Sequence, residues 1–152
     1  MPATIARERP DTPDAICLID ELQTHLEQFY PPESRHGFNV EKLLAQGVAF
    51  FLVREDTAPA ACGGILLVDG EYGELKRMYV RPEFRGRGFG KLLIEHLASY
   101  ARAHEITVLR LETGIHQCEA ISLYERMGFV RIPPFGPYTN DPLSLCYEKR
   151  LA

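Results

Sequence analysis

The chain has 152 residues, 45% hydrophobic and 25% charged, with a formal net charge of −4. That length suits one domain of residues 1–152, the composition excludes a disordered or fibrous chain, and the acidic balance disfavours nucleic-acid binding. No run of about 18 apolar residues and no apolar signal core near Met1 exist, so no membrane contact and a cytoplasmic location are expected; Cys17, Cys62, Cys118 and Cys146 are too widely spaced for a zinc site or a disulfide framework, so no metal is expected.

Thr4 to Arg7 reads as a short first strand. Asp11-Thr12-Pro13-Asp14 then offers an N-cap with proline and an acid in the first turn, and Ile16, Ile19, Leu22, Leu26 and Phe29 recur at three- and four-residue spacing, predicting a helix with one apolar stripe that stops before Pro31-Pro32. Asn39 is placed to cap a second short helix, which Gly47 ends. Residues 48–53 and 60–68 read as an antiparallel pair across a loop from Glu55 to Pro59, and Asp69-Gly70 turns the chain into a third strand from Tyr72 to Val80.

Beyond Val80 the sequence Arg81-Pro82-Glu83-Phe84-Arg85-Gly86-Arg87-Gly88-Phe89-Gly90-Lys91 joins that strand to a helix carrying Leu92, Leu93, Leu97, Tyr100 and Ala101 on one side. Alternating glycines allow close backbone approach, and the first-turn N–H groups of a helix have no intrahelical partner, so the loop suits a diphosphate. Arg85, Arg87 and Lys91 add positive charge there. The spacing does not match Gly-x-Gly-x-x-Gly, and Gly90-Lys91 is followed by Leu92 where a triphosphatase loop needs Ser or Thr for magnesium. A further strand at 108–112, a helix at 119–127, a strand at 129–132 and a last strand at 143–147 follow. The Pro- and Gly-rich residues 133–142 should form an irregular surface loop, either near the site or merely a long connection.

Arg85-x-x-Gly88-x-Gly90 resembles the coenzyme A loop of the GNAT N-acetyltransferase superfamily. Glu74-Leu75-Lys76-Arg77-Met78-Tyr79-Val80 looks like the strand leading into that loop, and Ala120-x-x-x-Tyr124-x-x-x-Gly128-Phe129 is similar to the family's helix-then-strand signature. The resemblance covers roughly residues 48–150. It implies an α+β (mixed α/β) fold: a central, mostly antiparallel, twisted sheet of six to seven strands, splayed in the middle and flanked by about four helices. It also implies transfer of acetyl from acetyl-CoA, as cosubstrate, directly to a primary amine.

The same resemblance assigns roles. Main-chain groups of Met78, Tyr79 and Val80 would pair with the pantetheine arm, while Arg85, Gly86, Arg87, Gly88, Phe89, Gly90 and Lys91 would hold the diphosphate. Gln117 stands where many relatives carry asparagine. An alkylammonium has a pKa near ~10, so a base must take its proton. Glu74 occupies the catalytic glutamate position of the histone-modifying branch, with Glu112 the second candidate; each also fits an ordinary ion-paired or strand-end carboxylate. Alternation would put Glu74, Lys76, Met78 and Val80 on one face unless a bulge intervenes. Tyr124 stands where family members protonate the departing thiolate.

Acceptor walls are expected from residues 29–38 and from the connection before the last strand, with Tyr30, Arg35 and Tyr138 as candidate substrate contacts. Arg35 offers a clamp for a carboxylate, whereas Glu71, Glu74 and Glu112 would attract a cation. The expected acceptor is a small-molecule amine or amino acid. A non-catalytic acetyl-CoA sensor and a protein or peptide N-acetyltransferase are the alternatives, and a homodimer through the last strand is compatible with the family.

Overall fold

The computed structural model describes residues 2–35, 39–138 and 141–152. Within these residues seven strands form one sheet: β1 (Ala3–Arg7), β2 (Ala49–Glu55), β3 (Ala58–Val68), β4 (Tyr72–Val80), β5 (Val108–Gly114), β6 (Val130–Ile132) and β7 (Ser144–Arg150), in the order β1-β2-β3-β4-β5-β7-β6. Every neighbouring pair is antiparallel except β4 and β5. Among the described residues four helices flank it: α1 (Pro13–Glu27), α2 (Val40–Ala45), α3 (Phe89–Ala103) and α4 (Cys118–Arg126). Single 3₁₀ turns lie at Pro32–Ser34 and Pro82–Phe84. This is the expected α+β fold, with a mostly antiparallel sheet that parts in the middle.

Local chemistry sets the boundaries. Thr12 accepts the Ala15 N–H at 3.3 Å to start α1, and Asn39 accepts the Lys42 N–H at 2.8 Å to start α2. The buried stripe of α1 is Ala15, Leu18, Ile19 and Leu22; Ile16 and Phe29 are 37% and 43% exposed, so the expected stripe is rotated by about one residue toward the small Ala15. The β2–β3 connection is also tighter than expected, a turn at Asp56-Thr57 with Asp56 at φ +55. Pro59 lies inside β3 beside a register shift, the kind of irregular position to which proline is confined within sheets.

The larger core cluster packs Leu93, Leu97 and Ala101 of α3 on Phe51, Ile65 and Leu109 of the sheet. On the opposite face Leu18 and Ile19 of α1 and Leu43 of α2 cover Phe50 and Leu52. Each such aliphatic side chain removed from water contributes about 1.5–3 kcal/mol. Both faces of β2 to β4 are thereby fixed.

Two irregularities in β4 create the site. The strand pairs with β5 only at Gly73 with Leu109 and Glu74 with Arg110, beyond which the two strands diverge. Opposite, Gly64 pairs with Lys76 while Cys62 pairs with Tyr79, so β4 holds one extra residue, a bulge at Arg77 with φ +54. The bulge reverses the alternation. Leu75, Met78 and Val80 pack toward α3, whereas Tyr79 packs toward α1, and Glu74 and Lys76 share a pocket with Tyr138 instead of a face with Val80. The expected single face of Glu74, Lys76, Met78 and Val80 is therefore broken at Arg77.

Candidate active site

Where β4 and β5 part, two cavities meet. The larger, about 660 Å³, runs from the glycine loop between β4 and α4; the smaller, about 110 Å³, lies between β4, β5 and the end of α1. Met78, Gln117, Ala120 and Tyr124 border both.

At the outer end of the larger groove, Gly86 and Gly88 adopt φ +80 and +81, a conformation that side chains rarely take. Gly88 is the N-cap of α3, and the first N–H to bond back is that of Leu92, to Gly88 O at 3.0 Å. The preceding first-turn N–H groups are left for an anion. Arg85 and Lys91 border the groove. Arg85 donates to Val80 O at 3.2 Å and faces the exposed Glu119 at 3.5 Å. These residues fit the diphosphate of coenzyme A. Arg87 does not border the groove: it pairs with Glu55 at 2.5 Å and lies over the Phe84 ring. Phe89 and Gly90 line the groove, as do Met78, Tyr79 and Val80 at its inner end. The Tyr79 hydroxyl is turned toward Glu21 and its pKa is pushed up to about 12 by burial and that carboxylate.

Tyr124 stands at the junction. It is buried, packs edge-on to Phe129, and its hydroxyl makes no hydrogen bond among the described residues. Burial first and the charge of Glu112 second raise its pKa above the usual tyrosine value, so the phenol keeps its proton at neutral pH.

Glu74 and Glu112 both border the smaller pocket but in different states. Glu74 is buried, 2.8 Å from Lys76 Nζ, and accepts a short hydrogen bond from Tyr138; Lys76 also donates to the Tyr138 oxygen at 2.6 Å. Burial holds the Lys76 ammonium below the usual lysine range despite Glu74, and burial with Glu74 pushes the Tyr138 phenol up. Glu112 is half-buried, accepts from Ser144 Oγ at 2.5 Å, and its charge reaches Tyr30, Tyr124 and Tyr138.

Tyr30 borders the smaller pocket. Its hydroxyl accepts the His116 N–H at 3.0 Å and donates to Gln117 Oε1 at 3.2 Å, tying the end of α1 to the β5–α4 connection. The Gln117 amide expected at the cofactor is thus engaged by Tyr30 while still bordering the groove. Arg35 borders the smaller pocket and faces Glu27 at 3.7 Å; His36, Gly37 and Phe38 of the expected acceptor wall lie outside the described residues. Sequence reasoning missed Lys76 and Arg77. Two adjacent cations in a strand otherwise bound for the core were the available signal.

Among the described residues no group of three or more metal-ligating side chains is found, and no helix is long and apolar enough to cross a membrane. The profile of the Acetyltransferase (GNAT) family matches residues 18–129. The chain is 42% identical over 149 residues to an IAA acetyltransferase of Azospirillum brasilense, covering 97% of each protein. It superposes with a TM-score of 0.83 and 35% identity on a Klebsiella pneumoniae chain provisionally described as an acyl-CoA N-acyltransferase, covering 99% of this chain and 98% of that one. A GNAT acetyltransferase of Elizabethkingia anophelis, solved with acetyl-CoA bound, shares the fold at TM-score 0.69 and 19% identity, with 98% of each chain covered.

Proposed function

Because the chain belongs to the acetyltransferase (GNAT) family and is an N-acetyltransferase, we propose that it moves acetyl from acetyl-CoA directly to the primary amine of a small molecule or amino acid. The observation that carries this reading is the meeting of a diphosphate-compatible groove and a small polar pocket at Met78, Gln117 and Tyr124. A thioester bound along the groove supplies the activated acetyl group.

The chain's own residues supply the rest. First-turn amides of α3, with Arg85 and Lys91, hold the diphosphate, and the strand edge exposed by the divergence of β4 from β5 orients the arm. A main-chain N–H of β4 faces the negative charge that develops on the reacting oxygen. Glu112 collects the ammonium proton, directly or through one water: it borders the pocket, is half-buried where Glu74 is buried, and its charge reaches Tyr124. Tyr124, protonated at neutral pH, gives its proton to the departing sulfur. Glu74, Lys76 and Tyr138 form the pocket floor and position its polar groups.

The test is release of free thiol from acetyl-CoA with a panel of small amines, amino acids and N-terminal peptides. Turnover with a small amine or amino acid is expected. Turnover with peptides alone would reassign the acceptor, and acetyl-CoA binding without turnover on any acceptor would leave a binding module instead of an enzyme.

A further inference from the structure

Arg77 has no task in the reaction just described. It sits at the β4 bulge with φ +54, borders the smaller pocket and is only 7% exposed. One of its terminal nitrogens donates to Gln23 Oε1 at 2.9 Å. Its Nε is buried without a hydrogen-bond partner, and no carboxylate lies within ion-pair distance of it among the described residues.

A guanidinium removed from water is costly unless an anion compensates it. A non-glycine residue at positive φ inside a strand adds backbone strain, and such strain collects at ligand sites. Burial accordingly lowers the Arg77 pKa from its usual value. Neither cost stabilises the sheet, and both fall on one residue at the acceptor pocket. The charges around that pocket are also unequal. Arg35 has Glu27 at 3.7 Å and Lys76 has Glu74 at 2.8 Å, whereas among the described residues Arg77, on the same pocket, feels only the longer-range charges of Cys62 and Asp20. At about 110 Å³ the space suits a small planar anion, and the arginine fork matches a carboxylate in shape as well as charge.

We infer that the acceptor is an amino acid whose carboxylate is held by Arg77 while its amine is presented toward Glu112. This rests on the reading of the smaller pocket as the acceptor site. The carboxylate supplies a counter-charge at contact distance and the partner for Nε, and Arg77 sets specificity against amines that lack it.

Calorimetry on the full chain saturated with coenzyme A tests this without requiring turnover. The probes are matched pairs differing by one carboxylate, such as N-acetylglycine against N-methylacetamide and N-acetylphenylalanine against N-acetylphenethylamine. The carboxylated member of at least one pair should bind about tenfold or more tighter, as expected for a charge-assisted hydrogen bond. In R77M that ratio should fall toward one, with R35A keeping most of it. No difference in any pair, or full discrimination retained in R77M, overturns the inference. Should R77M fail to fold, R77K serves: it keeps the charge but loses the fork, so its ratio must fall below that of the wild type or the assignment to Arg77 fails. Discrimination without acetyl transfer to any acceptor would sustain the carboxylate site and overturn the transferase reading, so the two fail separately.

Discussion

Tyr30 and Gly114 lie so close that no β-carbon could stand at position 114 without displacing the tyrosine ring. The contact joins the end of α1 to the end of β5, the two elements that flank the passage between the cavities, and the Tyr30 hydroxyl completes the join through His116 and Gln117. Tyr30 is therefore a clasp more than an acceptor wall. G114A must push the ring out and break both hydrogen bonds. It should destabilise the chain by about 1–3 kcal/mol, the usual cost of overpacking, and raise the KM for acetyl-CoA several-fold. Urea unfolding and initial rates check both, and a variant with wild-type stability would show that the ring yields freely.

The two carboxylates of the smaller pocket should respond differently to loss of charge. E74Q removes the carboxylate in contact with the buried Lys76, a change that costs about 3–5 kcal/mol where such a pair is broken. E112Q removes a half-buried group held by Ser144 and should leave stability nearly unchanged while lowering kcat about 10²–10⁴-fold. Denaturant midpoints and steady-state rates on the two variants separate them. A folded, inactive E74Q beside an active E112Q would return the base to Glu74.

The loop and the helix after it were legible in the sequence because their chemistry is carried by residue type: glycine where φ is positive, and an apolar stripe on α3. The β4 bulge was not. Arg77 takes a glycine-like φ without being glycine, so nothing in the pattern marked the residue that reverses the alternation and separates Glu74 from Val80. Periodicity also could not rank Ala15 above Ile16 on α1, since small side chains win where a helix lies close to the sheet. The engagement of Arg87 by Glu55 depends on β2, distant in sequence, and no local rule reports it.

Gly88 allows a specific test of the diphosphate cradle. At φ +81 it has open space where a β-carbon would stand, so G88A meets backbone strain of about 1–2 kcal/mol and no clash. A loop relieved of that strain by moving would misplace the α3 amides, and acetyl-CoA affinity should fall about tenfold by calorimetry. G88E adds a negative charge to the same place and should abolish measurable binding. Equal affinities for wild type and G88E would mean that the diphosphate lies elsewhere.

Tyr124 makes a prediction in catalysis and an independent one in stability. As a proton donor it must stay protonated, and its raised pKa keeps it so throughout the neutral range. Y124F should therefore lower kcat about 10²-fold or more with acetyl-CoA affinity within twofold of wild type. For folding, a tyrosine whose native pKa lies above its unfolded value of about 10 contributes stability in full below pH 10 and loses it as pH rises toward the native value. The unfolded chain releases that proton first. Above pH 10 wild-type stability should fall more steeply than that of Y124F, the difference approaching about 1.4 kcal/mol per pH unit for one proton. Urea titrations between pH 9 and 11 measure it. Parallel slopes would mean that the hydroxyl ionises as readily in the folded chain as in the unfolded one, which would contradict the desolvated setting ascribed to it.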